Sequence, residues 1–226
     1  MHSRFLIAVV AAVLFRPAYC HAQAAPKVIL YHSFDNAIEK VDYATRQLQV
    51  SANQGARPTT PAISGKAVWF AETDADAKLR INLQDLLHGN AWTIAIWEII
   101  DVKKWLHAPE DNLLSLLDAD GKPIIKLTKS AAVFVYEDGK EIHHECFDSL
   151  YWVRHSREHL TLTWDEDDDG LNPSGGILRA YWKARPYATQ LIELKRKPVY
   201  LEIGQAMSGL GVDDLYILEG ALPLRE

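Results

Sequence analysis

Apolar residues along most of the chain fall in short runs that are rich in β-branched and aromatic side chains and are bounded by turn residues. Runs of this kind predict β-strands. Helical periodicity is scarce, and only residues 41–48 and 83–88 show a pattern that predicts short helices. The predicted strands are residues 28–34, 67–71, 79–83, 92–100, 113–117, 123–127, 133–137, 141–146, 159–164, 177–183, 189–194, 199–204 and 212–218. This many short strands predict an all-β protein with two packed antiparallel sheets.

Two of the predicted strands also indicate which side chains face the core. In residues 159–164, three large apolar side chains alternate with Thr161 and Thr163, which is typical of a strand with one buried face. Residues 92–100 are apolar on both faces, which predicts a central strand covered on both sides. Residues 51–65 are rich in Ser, Thr, Pro and Gly and are therefore predicted to form one long surface loop.

The order of the segments resembles that of a known family. The segments that carry the likeness are residues 30–35 (Leu-Tyr-His-Ser-Phe-Asp), 65–70 (Gly-Lys-Ala-Val-Trp-Phe), 92–97 (Trp-Thr-Ile-Ala-Ile-Trp), 159–165, 201–205 and 211–217, the last of which contains an Asp-Asp pair. Together they resemble the laminin G-like members of the concanavalin A-like superfamily, over residues 28–223. The resemblance implies a two-sheet antiparallel jelly-roll sandwich whose first and last strands are neighbours.

Turn residues agree with this architecture at two places and depart from the family pattern at a third. The Asp-Gly pairs at 120–121 and 138–139 predict tight hairpins between neighbouring strands. The family usually has Tyr-Val-Asp-Gly in the second strand of its middle hairpin, whereas this chain has the sequence Tyr-Trp-Lys-Ala at 181–184, without that turn. Arg157 and Glu158 stand where the family has a Trp next to the His of the preceding strand. Ligand geometry is therefore not transferred from relatives at this hairpin.

The amino-terminal residues have the three parts of a secretory signal. Arg4 is followed by an unbroken apolar run over residues 5–15 and by the small-residue site Ala-Gln-Ala at 22–24. We expect cleavage after Ala24, leaving residues 25–226 as one jelly-roll domain. Lipidation of Cys20 is the rival interpretation, although the bulky Tyr19 before it disfavours that modification.

The charge balance bears on the class of partner. Residues 1–24 contain two arginines and no acidic residue, so their removal changes the formal net charge from −6 to −8. An acidic protein is a poor partner for nucleic acid or anionic membranes, and the apolar run at 5–15 is shorter than the roughly 20 residues of a membrane span. We therefore expect a secreted, periplasmic or cell-surface protein without a membrane span. Cys146 is then the only cysteine left, and its alternating apolar surroundings predict burial.

Acidic residues suggest two candidate calcium sites. Asp35 and Asp213 lie on the strands that the resemblance makes neighbours, and carboxylates on these strands hold a structural calcium in several jelly-roll relatives. Asp165, Asp167 and Asp169 have the alternate spacing of a calcium loop and precede a glycine. The alternatives are that the first pair accepts backbone N–H groups and that the second set is a solvated acidic loop.

Aromatic residues are the candidates for contact with a ligand, because their rings stack on sugars. Trp69, Trp97 and Trp164 lie in alternating apolar strands, and we interpret them as core. The ligand-binding candidates are Trp105, Trp152 and Trp182, with packing under a loop as the alternative. His143, His144, His155 and His159 show no metal-ligand spacing and are interpreted as ordinary strand and loop histidines.

Catalytic motifs do not emerge from the sequence. No strand carries the closely spaced carboxylates of a sandwich glycosidase, and there is neither a Gly-x-Ser-x-Gly motif nor a phosphate loop. The favoured hypothesis is thus an exported, calcium-stabilised binding module that recognises a carbohydrate or a cell-surface protein. Two alternatives stay open: a polysaccharide hydrolase or a lyase with scattered Arg, Gln, His and Tyr residues, and a structural domain without a ligand.

Overall fold

The computed structural model describes residues 26–52, 55–59, 62–70, 77–84, 86–87, 90–100, 112–128, 132–145, 157–166, 175–204 and 210–222. These residues contain sixteen β-strands and no α-helix. In chain order the strands are β1 (Lys27–His32), β2 (Tyr43–Ala44), β3 (Val50–Ala52), β4 (Ala56–Thr59), β5 (Ala67–Phe70), β6 (Lys78–Asn82), β7 (Ala91–Ile100), β8 (Asn112–Leu117), β9 (Pro123–Thr128), β10 (Val133–Glu137), β11 (Lys140–Glu145), β12 (Arg157–Asp165), β13 (Gly176–Trp182), β14 (Arg185–Ile192), β15 (Tyr200–Gly204) and β16 (Leu210–Glu219). All thirteen predicted strands are present, with small differences at their ends.

The strands form two antiparallel sheets. The larger has the order β14-β13-β12-β7-β16-β1-β2, with β5 also paired to β16 and β4 paired to β5, and the smaller has the order β11-β10-β9-β8-β15-β6-β3. The predicted antiparallel sandwich is confirmed. The central position predicted for β7 is confirmed, because β7 lies between β12 and β16. The first and last strands are neighbours, as predicted.

Three expectations about local structure differ from the fold. Residues 41–48 do not form a helix, because Tyr43 and Ala44 pair with β1 and the Thr45 amide donates to the Ile29 carbonyl. In the other candidate helix, the Leu86 amide closes a single turn onto the Leu83 carbonyl. The predicted loop over residues 51–65 contains β3 and β4 instead. Their backbone groups satisfy the edges of β6 and β5, and an edge position tolerates the polar composition that suggested a loop.

The core lies between the sheets and consists of the inward-facing apolar side chains. From the central strands of the larger sheet these include Trp92, Ile94, Ile96, Leu160, Leu162, Trp164, Leu178, Ala180, Val212, Leu215 and Ile217. Burying each large side chain contributes about 1.5–3 kcal/mol. Trp164 is in the core as predicted, whereas Trp97 is half-buried and stands on the opposite face of β7. The prediction for Trp97 was wrong because β7 is apolar on both faces.

The hairpin between β13 and β14 turns without glycine. Asp138 and Gly139 have φ values of +50° and +77°, as expected for the predicted Asp-Gly turn. Lys183 and Ala184 also have positive φ values, +48° and +62°, although neither residue type favours that region. The departure from the family pattern thus changes the residues of this turn and not its existence.

Candidate functional site

A row of five residues crosses the outer face of the larger sheet, by which we mean the face turned away from the core. Tyr31 lies opposite Tyr216, Tyr216 opposite Ala95, Ala95 opposite Thr161 and Thr161 opposite Tyr181. Residues directly opposite one another share a face of the sheet. Ala95, Thr161 and Tyr181 are buried, whereas Tyr31 and Tyr216 are half-buried, so the tyrosine pair forms the more accessible end of the row.

Two aromatic pairs stand on this face of the sheet. The Tyr31 and Tyr216 rings are stacked, with centroids 4.6 Å apart and an interplanar angle of 28°. The Trp97 and His159 rings meet edge to face at 5.0 Å and 60°, and their residues are directly opposite on β7 and β12. All four side chains are half-buried, so each is partly accessible from the outer face.

A bulge in β16 brings a carboxylate to the same place. The pairing of β16 with β7 shifts register between Asp213 and Tyr216, and Asp214 within the bulge has a φ of +44°. The Tyr31 hydroxyl donates to Asp214 Oδ1 at 2.8 Å. A residue in the left-handed region costs roughly 1–3 kcal/mol and persists only where its surroundings fix it. The bulge is therefore a strained feature that positions a half-buried carboxylate beside the aromatic rings.

Burial sets the ionisation of the groups around Asp214. Burial lowers the pKa of His159, and the nearby Asp214 charge only partly opposes this effect. The imidazole is therefore neutral at pH 7, since its pKa lies below the usual value of about 6.5. Burial, together with the hydrogen bond to Asp214, raises the pKa of Tyr31 well above its usual value, so its hydroxyl stays protonated and remains a donor.

Further polar groups lie on the same face, two residues along the strands from this row. Thr163 lies opposite Arg179, two residues along from the pairing of Thr161 with Tyr181. Burial raises the pKa of Tyr181, and the Arg179 charge acts against that shift. At one end of the face, Thr93 Oγ1 donates to the Gly220 carbonyl at 2.9 Å. The chain after β16 thus crosses the sheet there and bounds the exposed part of the face.

Asp35 and Asp213, the first predicted calcium pair, both hold one short segment of chain, residues 62–66. The buried Asp213 accepts the Ile63 and Ser64 amides on Oδ2, at 2.8 and 3.2 Å, and the Asp214 amide on Oδ1 at 2.9 Å. Asp35 Oδ1 accepts the Lys66 amide at 2.7 Å. Burial raises the pKa of Asp213, although its hydrogen bonds lower it. These are the backbone contacts of the alternative interpretation, and they occupy both oxygens of Asp213.

Calcium binding stays a prediction. Among the residues that the structure describes, no group of three or more His, Cys, Asp or Glu side chains could hold a metal ion. Asp165 is buried at the end of β12, opposite Ala91 and Ile177, while Asp167 and Asp169 lie outside the described residues.

The tryptophans chosen from the sequence do not form the site. Trp105 and Trp152 lie outside the described residues, as do Cys146 and the signal segment. Trp182 belongs to the core cluster, with 9% of its surface exposed, and the Lys183 ammonium lies 4.6 Å from its ring centre. Its ring therefore takes part in the packing between the sheets.

The sequence reasoning missed every residue that surrounds Asp214. A usable signal was present in β12, where His159, Thr161 and Thr163 share the polar face of an alternating strand. The sequence reasoning also missed a pair of glutamates on two neighbouring strands. Glu98 and Glu158 are directly opposite and fully buried, and they occupy the inward face, where the Lys183 Nζ lies 2.9 Å from Glu158 Oε2.

Comparison with known proteins gives relatives in structure only. No family model matches the chain, and no curated protein matches it. The receptor-binding domain of botulinum neurotoxin mosaic serotype C/D is similar to 87% of this chain, with a TM-score of 0.64 and 14% identity. The binding domain of botulinum neurotoxin serotype D covers 87% as well, with a TM-score of 0.63 and 15% identity. This chain spans 48% and 49% of those two chains.

A third similar structure has nearly the length of this chain. A variant of the Emp46p carbohydrate recognition domain is similar to 78% of this chain over 89% of its own, with a TM-score of 0.51 and 12% identity. At such low identities these likenesses show the fold alone, a β-sandwich shared with carbohydrate-binding and receptor-binding domains. Within the described part of the chain there is no helix long and apolar enough to cross a membrane.

Proposed function

We propose that this chain is an exported, laminin G-like carbohydrate-binding module and that a saccharide lies on the outer face of its larger sheet. The observation that carries the proposal is the grouping of the Tyr31–Tyr216 and Trp97–His159 pairs around Asp214. Aromatic rings stack on the apolar faces of sugars, while a carboxylate and a neutral imidazole exchange hydrogen bonds with sugar hydroxyls. A few placed polar groups among rings are typical of small-ligand sites.

The similar structures support the same class of function. They include receptor-binding domains of neurotoxins, a toxin binding domain in complex with SialylT and a carbohydrate recognition domain. The signal at residues 1–24 supports export to the periplasm, the cell surface or the medium. In this proposal calcium binds at Asp35 and Asp213 and stabilises the fold. The partner is either a free carbohydrate or a cell-surface protein that carries the saccharide.

A glycan-array screen of the secreted chain, with and without chelator, tests the proposal. Tyr216→Ala removes one ring of the stacked pair, and we expect it to weaken binding about two- to tenfold, since aromatic contacts contribute ~0.5–1.5 kcal/mol. Tyr136→Ala is the matched control, because Tyr136 is a half-buried tyrosine on the smaller sheet. Equal binding by the two variants, or no binding to any glycan by the parent, would contradict the proposal.

A polysaccharide lyase is the second candidate function. The specific observation in its favour is that Tyr31, His159, Arg179 and Tyr181 all stand on the outer face, which gathers the residue types that such an enzyme scatters over one sheet. Incubation of the chain with polyuronates separates the two functions. Unsaturated products that disappear in His159→Ala would establish the lyase, and binding without product formation would support the module.

A further inference from the structure

Carboxylates outnumber cations around Asp214. Asp213 and Asp214 are consecutive in the bulge of β16. Directly behind the Trp97–His159 pair, the next residues of the same two strands are Glu98 and Glu158, buried on the inward face. Two cationic side chains are described on β7, β12, β16 and the turn after β13. Lys183, in that turn, is paired with Glu158. Arg157 is exposed at the end of β12, and Arg179 lies on the outer face of β13, opposite Thr163 and two strands away from β7.

The polar groups that touch or face Asp214 do not neutralise its charge. The Tyr31 hydroxyl donates a hydrogen bond to Asp214 Oδ1 but carries no charge itself. The His159 ring is kept neutral by burial and so adds no positive charge at pH 7. Asp214 is half-buried, and its field is screened less than that of a fully exposed carboxylate.

The rings around this carboxylate add to the attraction for a cation. The faces of Trp and Tyr rings carry negative electrostatic potential and attract ammonium groups within about 6 Å. An ammonium group at a carboxylate also adds the attraction between opposite charges to the hydrogen bond itself. A sugar hydroxyl at Asp214 also donates to the carboxylate, but it carries no charge, whereas a protonated amino group gains both the attraction of the rings and that of the opposite charge.

We propose that the outer face recognises a saccharide with a protonated amino group, an oligomer of amino sugars, and that its ammonium group binds at Asp214 between the two aromatic pairs. The proposal rests on the carbohydrate-binding function and names the ligand class for the same site. Trp97 and Tyr216 then contact the sugar rings, while Asp214 selects the charged amine.

Two oligosaccharides that differ only at the nitrogen test this selection. Isothermal titration calorimetry compares a glucosamine oligomer with its N-acetylated counterpart of equal length, both at pH 6. The parent chain should bind the free amine about tenfold more tightly, corresponding to ~1.4 kcal/mol, and the preference should shrink as salt is raised. The salt series on the parent chain needs no variant.

Asp214→Asn removes the charge and keeps the shape, and asparagine is among the residues that best tolerate a positive φ. It should bring the two affinities within about twofold of each other, because the charge-assisted contact is lost. Asp120→Asn is the matched control, since Asp120 is exposed in the turn after β8 and its loss changes the net charge by the same amount. This control should keep the full preference.

The outcomes separate the two proposals. If the parent binds both oligomers equally at every salt concentration and Asp214→Asn changes neither affinity, the amine selection is wrong while the carbohydrate-binding function stands. If neither oligomer binds but another glycan on the array does, the amine selection is wrong as well. If the parent binds no glycan at all, both proposals fail.

Discussion

Gly65 in the 62–66 segment offers a sharp test of how this segment is fixed to the sandwich. Gly65 has a φ of +54°, and a Cβ added to it would lie 1.7 Å from Asp35 Oδ1. Gly65→Ala must therefore strain the backbone and also displace the carboxylate that accepts the Lys66 amide. Left-handed backbone costs an alanine about 1–2 kcal/mol, and loss of the hydrogen bond costs ~1 kcal/mol more. We expect a total loss of about 2–3 kcal/mol.

A double-mutant cycle separates the two contributions. In an Asp35→Ala background the carboxylate is absent, so Gly65→Ala should cost only the backbone strain of about 1–2 kcal/mol. The free energy of unfolding is measured by urea denaturation of all four proteins. In the Asp35-containing chain the midpoint of thermal unfolding should fall by about 5–10 °C for a domain of this size. An equal cost of Gly65→Ala in both backgrounds, within about 0.5 kcal/mol, would refute the close approach of the two residues.

Three further predictions concern stability. Because burial raises the pKa of Asp213, its contribution to stability is greatest below its unfolded pKa and is lost as pH rises through its folded pKa. The difference in the free energy of unfolding between the parent and Asp213→Asn, measured by urea titration, should therefore narrow from pH 3 to pH 8. A difference that widens over this range would contradict the raised pKa. If calcium binds at Asp35 and Asp213, a chelator should lower the unfolding temperature of the parent, because calcium at a hundredfold excess over Kd stabilises the fold by roughly 2.7 kcal/mol. Asp213→Ala should remove this effect of the chelator. If Asp167→Ala removes it instead, the ion binds in the acidic loop. Ala184→Gly should stabilise the chain by about 0.5–1 kcal/mol, since glycine relieves the φ of +62° in the β13–β14 turn, and an unchanged or lower denaturation midpoint would contradict that strain.

The amino-acid pattern was sufficient for most of the fold. All thirteen predicted strands are present, and the Asp-Gly turns lie where predicted. These features depend on neighbours within a few residues, because side-chain alternation and turn geometry are local properties of the chain. The predictions failed at two kinds of position. Trp97 was predicted to be core, but its strand is apolar on both faces, and residues 51–65 were predicted to be a loop because they are polar. Pairing with distant strands decided those positions.

The candidate site was decided almost entirely by tertiary structure. The family resemblance placed the first and last strands side by side, and the sheet confirms that pairing. Asp35 lies three residues beyond the end of β1, and only the folded chain shows that Asp35 and Asp213 hold the same segment. Tyr31, Trp97, His159 and Asp214 are far apart in sequence and meet because β1, β16, β7 and β12 are adjacent in one sheet. No local pattern encodes strand order, and a bulge that turns one carboxylate towards the aromatic rings has no periodic signature. The sequence therefore determined which segments are strands, and long-range pairing determined which of their side chains share a face.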